Sequence, residues 1–219
     1  MSGPEDVANP FAAPEAAEAI APGTDLYGYE APRTAVVGGL YACAVVNTLT
    51  LIPIVAMNER LSDPMALLDG SPLAIAYLAT SMLGGLIFYV TVFLWARWVM
   101  RAARNLRAFS PDGYFAFTPG SHVWWYIVPF LSLWKPLEGM REIETVSLMS
   151  ADIADVPRTS PVGLWWALWI GQIFMSMIVS WSNLWWMMIA GGLTAASAAL
   201  AAARVVKYIN RLQEARATR

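Results

Sequence analysis

Residues 162–206 read VGLWWALWIGQIFMSMIVSWSNLWWMMIAGGLTAASAALAAARVV, and Arg204 is the only charged side chain among them. Crossing ~30 Å of hydrocarbon takes ~20 apolar residues at a helical rise of ~1.5 Å each. The stretch is long enough to cross twice, and its tryptophans divide it. Trp165, Trp166 and Trp169 open the first half and Trp181 closes it, while Trp185 and Trp186 open the second. Trp165 to Trp181 covers ~24 Å of helix, close to the separation of two interfacial aromatic belts. Ser182 and Asn183 lie between the outer tryptophans and suffice only for a tight turn. The halves, 162–181 and 184–206, therefore form an antiparallel hairpin.

Two further apolar runs, 35–57 and 73–100, precede it. Backbone in lipid must satisfy its own hydrogen bonds, so runs of this length are helices. Composition agrees: of 219 residues 58% are apolar and 14% charged, mean hydropathy is +0.49, and there are 11 Trp. A soluble domain carries about a quarter charged residues. These values exclude a disordered chain, a coiled coil and an ordinary soluble domain. The expected fold is all-α, a four-span transmembrane bundle over residues 35–209. Residues 1–34 read as a disordered acidic tail: Glu5, Asp6, Glu15, Glu18, Asp25 and Glu30 face only Arg33, with five prolines interspersed. The tail lacks the basic-then-apolar order of a signal peptide. Residues 210–219 read as a basic cytoplasmic tail.

Lysine and arginine set orientation. Arg97, Arg101, Arg104, Arg107, Lys135, Arg141 and Arg158 follow span two, and Arg204, Lys207, Arg211, Arg216 and Arg219 end the chain. These two segments hold 12 of the 14 basic residues, and a four-span path puts both on one side. That side is expected to be cytoplasmic, with both termini on it. Between spans two and three, His122–Trp134 (HVWWYIVPFLSLW) is apolar, too short to cross untilted, and flanked by basic residues. It opens an interfacial segment of about 122–149, read as an interfacial or shallow re-entrant aromatic helix on the cytoplasmic side. A fifth span would move the C-terminal basic cluster outside.

Arg97, Arg101 and Arg104 share one helical face, and Glu138, Arg141 and Glu142 share another after Pro136, which suits a first helical turn. One reading docks the two helices through Arg–Glu pairs and so shapes a cytoplasmic site. The other leaves the arginines to hold orientation and touch lipid phosphate. In span four Gly191, Ala195, Ala199 and Ala203 recur every fourth position, a spacing for close helix packing within the chain or between copies.

The blocks from Trp95 to Ser147 resemble the bacterial membrane family catalogued as domain of unknown function 4328. The resemblance rests on Arg101, Arg104, Asn105 and Leu106; on Trp125 and Pro129; on Leu133, Trp134 and Pro136; and on Arg141 and Glu142. The family shows an aromatic residue before the first arginine where this chain has Met100. The resemblance implies a four-span architecture in a bacterial inner membrane and brings no activity. The candidate platform is accordingly Arg101, Arg104, Asn105, Trp125, Pro129, Trp134, Pro136, Arg141 and Glu142.

Several chemistries lose ground. Cys43 is the only cysteine and His122 the only histidine, so an intramolecular disulfide, a four-ligand zinc site and bis-histidine haem are out of reach. No phosphate-binding glycine loop occurs, and no catalytic residue, metal site or cofactor is assigned. His122, beside Trp124 and Trp125, reads as an interface residue. Charges are missing from the middle of every span, which counts against a pump or coupled transporter. The basic residues lie at the membrane edge, which speaks against nucleic acid. The expected function is an inner-membrane scaffold or interaction protein with a cytoplasmic aromatic–basic platform. Its expected partners are membrane lipid, including anionic headgroups, and another membrane protein or a second copy. The alternatives are a channel or small-solute transport component and, third, a membrane-embedded enzyme acting on lipid.

Overall fold

The computed structural model describes residues 30–57, 60–61, 63–110, 113–149, 159–182 and 184–217. The acidic tail, apart from its last residues, and the end of the basic tail lie outside the described residues, as does Asn183. The elements are α1 (Glu30–Met57), α2 (Pro72–Phe109), the single turn α3 (Ser121–Trp124), α4 (Lys135–Met149), α5 (Val162–Ser182) and α6 (Trp185–Ala217). No strand occurs among the described residues. Four of the helices, α1, α2, α5 and α6, are long and apolar enough to cross a membrane. The fold is all-helical, and the chain is a multi-pass membrane protein.

Local chemistry sets the start of α2. Asp69 Oδ1 accepts the Ser71 N–H at 2.7 Å, Ser71 Oγ accepts the Ala74 N–H at 3.3 Å, and Pro72 fills the first turn, where no N–H is needed. From there no proline interrupts the helix for 38 residues, ~57 Å, and α6 runs 33 residues, ~50 Å. Hydrocarbon accounts for ~30 Å. α1 and α5 end, and α2 and α6 begin, at one end of the bundle. The excess length therefore projects entirely from the other end, the one that carries the basic residues.

The helices stand in the order α2–α1–α6–α5, with α1 and α6 central. Glycines bring the neighbours close: a Cβ on Gly39 would sit 2.7 Å from Thr91 Oγ1 of α2, and one on Gly192 would sit 2.7 Å from Leu51 of α1. Gly191 faces Met175 and Val179 of α5. Ala199 packs with Cys43 and Ala44 of α1, Ala203 is fully buried, and Ala195 is half-buried. The small-residue ladder is thus used inside the chain. α2 and α5 converge at the basic end, where Trp95 and Trp165 lie 5.2 Å apart. Farther along they leave a groove of about 360 Å³.

The polar residues of the spans bond mostly to their own helices. Asn47, Thr48, Thr50, Thr80, Thr91, Ser176 and Thr194 each donate to the carbonyl four residues earlier. One bond between helices joins Cys43 Sγ to Thr91 Oγ1 at 3.5 Å.

The aromatic segment departs from expectation. It is not a continuous helix: the α3 turn ends at Trp124, irregular turns follow, and a short 3₁₀ turn covers Leu131–Leu133. Pro129 supplies no N–H and clashes with the turn before it, and Phe130 has φ 61°. A regular helix therefore cannot pass this point.

Candidate functional site

The basic ends of α2 and α6, with α4 and the adjoining ends of α1 and α5, enclose the main hydrophobic core. Trp98, Val99 and Leu106 of α2 meet Met140 and Ile143 of α4, Val162 and Trp165 of α5, and Val205, Val206, Ile209 and Leu212 of α6. Neutral polar groups run through it. Gln213, fully buried, accepts from Asn105 Nδ2 at 3.1 Å and donates to the Ala102 carbonyl at 3.2 Å and to Ser147 Oγ at 3.4 Å. One amide thereby ties α2, α4 and α6 together. Trp98 Nε1 donates to Asn210 Oδ1 at 3.0 Å. At the rim Arg33 pairs with Glu214, and Lys207 donates to the Tyr41 hydroxyl at 2.8 Å.

Of the expected platform residues, Asn105 and Pro136 belong to this framework. Pro136 is buried in the first turn of α4. The amides opposite Asn105, at positions 210 and 213, were not singled out from the sequence. Their signal was present: neutral side chains among Arg204, Lys207, Arg211 and Glu214, in register with Ile209 and Leu212.

Glu142 does not pair with Arg101 or Arg104, as docking of the two charged faces would have required. It turns toward the loop instead, where its Oε1 accepts the Ala116 N–H at 2.6 Å and its Oε2 lies 3.3 Å from His122 Nε2. His122 is buried rather than interfacial. Its ring lies 5.4 Å from Phe117, and a Cβ on Gly139 would come within 2.7 Å of Nδ1, so only glycine there lets the imidazole against α4. Arg107 donates to the Phe117 carbonyl at 3.4 Å. Burial, with Arg107 nearby, pushes His122 down to about 4, so the ring is neutral at pH 7. Burial also raises Glu142, against the opposing pull of the Ala116 and Phe117 N–H groups and Arg107. Both shifts disfavour charge. The Ala116–Glu142 hydrogen bond, with the buried His122 packed beside it, clasps the loop to α4, and the buried Glu142 Oε2 has no hydrogen-bond partner among the described residues. Among the described residues no group of three or more His, Cys, Asp or Glu could hold a metal ion.

The remaining platform residues face outward or half outward. Tyr126 OH accepts from Trp95 Nε1 at 3.3 Å, which pins the loop beside the last turn of α2 before Arg97. Around that pin Trp124, Ile127, Phe130, Leu133 and Trp134 are exposed, and Pro129 lies exposed in the turn. Trp125 is half-buried, and its buried indole N–H has no hydrogen-bond partner among the described residues. Arg104 and Arg141 are exposed and Arg101 is half-buried. None of the three forms an ion pair among the described residues. The structure thus brings Glu142 to His122 and Asn105 to Gln213, and leaves the arginines and the aromatic edge presented outward.

A family model described as a domain of unknown function, DUF4328, matches residues 72–211, from the start of α2 into the extension of α6. That is well over half of the chain, and the chain belongs to this family. No curated protein and no solved structure matches it.

Proposed function

We propose that this protein is an inner-membrane scaffold whose basic end faces the cytoplasm and lays an aromatic–basic platform on the inner leaflet. The Trp95–Tyr126 hydrogen bond carries the reading, because it holds an exposed aromatic loop at the level where α2 leaves the hydrocarbon. Tryptophan and phenylalanine beside unpaired arginines suit the headgroup layer, the rings in the boundary and the guanidinium groups on phosphate. The clasp and the Gln213 tie make that surface rigid, as a docking platform requires. The transport alternative draws no support from the span polar groups that bond their own carbonyls.

Two measurements test it. In a Cys43→Ser background, cysteines at Asp69 and Asn183 should label from outside the cell and one at Ala217 only from inside. In nanodiscs mixing neutral lipid with phosphatidylglycerol, the purified protein should retain the anionic lipid in a salt-sensitive way. Arg101→Ala/Arg104→Ala/Arg141→Ala should lose that retention while staying folded. Equal retention by the triple variant would refute the platform.

A further inference from the structure

The groove between α2 and α5 is lined by Phe88 of α2 and by Trp169, Gln172, Ile173, Ser176 and Ser180 on one side of α5. Convergence of Trp95 and Trp165 closes its end toward the platform. Gln172 lies midway along α5, ten residues from either end of a helix long and apolar enough to cross a membrane. Ser176 and Ser180 bond back to the carbonyls of Gln172 and Ser176, as the other polar residues of the spans do. Among the described residues nothing bonds the Gln172 amide, which offers two donors and an acceptor, more unmet groups than any span hydroxyl. Hydrocarbon offers no water to an unmet amide, so a group carrying both a donor and an acceptor must reach it.

We propose that a second copy of this chain supplies that group. A carboxamide carries donors and an acceptor together, so Gln172 can pair reciprocally with Gln172 of a copy related by a two-fold axis along the membrane normal. α2 and α5 are antiparallel and flank this groove. Two such sides facing each other close a four-helix arrangement with Phe88, Gln172, Ile173 and Ser176 inside. An acyl chain would fill the same groove and leave the amide unmet. The small-residue ladder of α6, the other place for a copy to pack, is already occupied by α1 and α5.

This inference stands apart from the platform. The test uses the full chain in lipid bilayers with Cys43→Ser as background. Oxidation should cross-link the Ser176→Cys chain into a dimer and leave the Phe174→Cys chain, altered on the opposite face of α5, monomeric. By energy transfer between labelled copies in liposomes, Gln172→Leu should weaken association about threefold to twentyfold, the range of one interhelical hydrogen bond in a membrane. Gln172→Asn should recover most of it, and Arg101→Ala/Arg104→Ala should leave it unchanged. Three results would overturn the proposal: equal cross-linking at Phe174→Cys, unchanged association in Gln172→Leu, or rapid reaction of Ser176→Cys with a membrane-impermeant thiol reagent, which would show water in the groove.

Discussion

Leu86 and Leu106 stand on the same unbroken helix and meet opposite surroundings. Leu86, at membrane depth, is 64% exposed, and Leu106, in the extension, is 1% exposed. The contrast is sharpest on the outer helices: the apolar windows of α2 and α5 are 6% and 17% buried against 39% for the central α1 and α6, whereas the larger core cluster lies around the basic ends of α2, α4 and α6. Lipid tails are as apolar as leucine, so side chains at that depth gain nothing by leaving them, and contact there comes from small residues and backbone proximity. Past the headgroups water returns, and each Å² of apolar surface removed from it contributes ~25 cal/mol. The core sits where the solvent is water.

Leu106→Ala or Ile209→Ala should cost about 2–5 kcal/mol in reversible unfolding from detergent. Leu86→Ala should change stability by less than about 0.5 kcal/mol. Similar losses at positions 86 and 106 would erase the distinction.

Acid should act on the extension through His122. His122 titrates at about 4 when folded, below the ordinary 6.5, so the unfolded chain binds its proton first. The stability this contributes is complete above about pH 6.5 and declines as pH falls toward about 4, by at most ~3 kcal/mol. Glu142 shifts the other way: raised by burial, it takes up a proton before the unfolded chain does and offsets part of the loss. Melting temperature against pH should therefore flatten in His122→Gln and steepen in Glu142→Gln. Identical slopes in all three proteins would sever the clasp from acid stability.

The amide tie should come next. Gln213→Ala strands the Asn105 amide and Ser147, and should cost about 1–3 kcal/mol. Gln172→Ala, in lipid within one copy, should cost a single chain nothing measurable; unfolding monitored at high dilution separates the two. Smallest of all, Arg101→Ala or Arg104→Ala should shift melting by less than about 0.5 kcal/mol each, because neither side chain has an ionic partner to lose.

What could be read beforehand follows from the same physics. Long apolar runs and tryptophan belts are strong one-dimensional signals, and they announced an all-helical chain with four apolar helices. The helix after Pro136 was equally legible. Pairing across helices was not. Spacing put Arg101 and Arg104 on one face and Glu142 on another, but it carries no information on how α2 and α4 rotate against each other. The real partner of Glu142 came from a loop whose path depends on Gly139. The aromatic run before α4 looked helical from its apolarity, and Pro129 with the left-handed Phe130 breaks it. Asn210 and Gln213 were hidden by their setting, a charged C-terminal segment that reads as a solvated tail until the core beneath it is seen.

Whether the core sits at the basic ends of α2 and α6 can be read from amide hydrogen exchange in lipid nanodiscs, resolved along both helices. Residues 101–107 and 207–213 follow the apolar runs 73–100 and 184–206; if they stand clear of the hydrocarbon, lipid does not shield them and only packing can slow their exchange. Protection there should be as strong as in the apolar turns of the same helices, and should fall in the Gln213→Ala chain. Rapid exchange across both stretches in the unaltered protein, as in a frayed helix end, would contradict it.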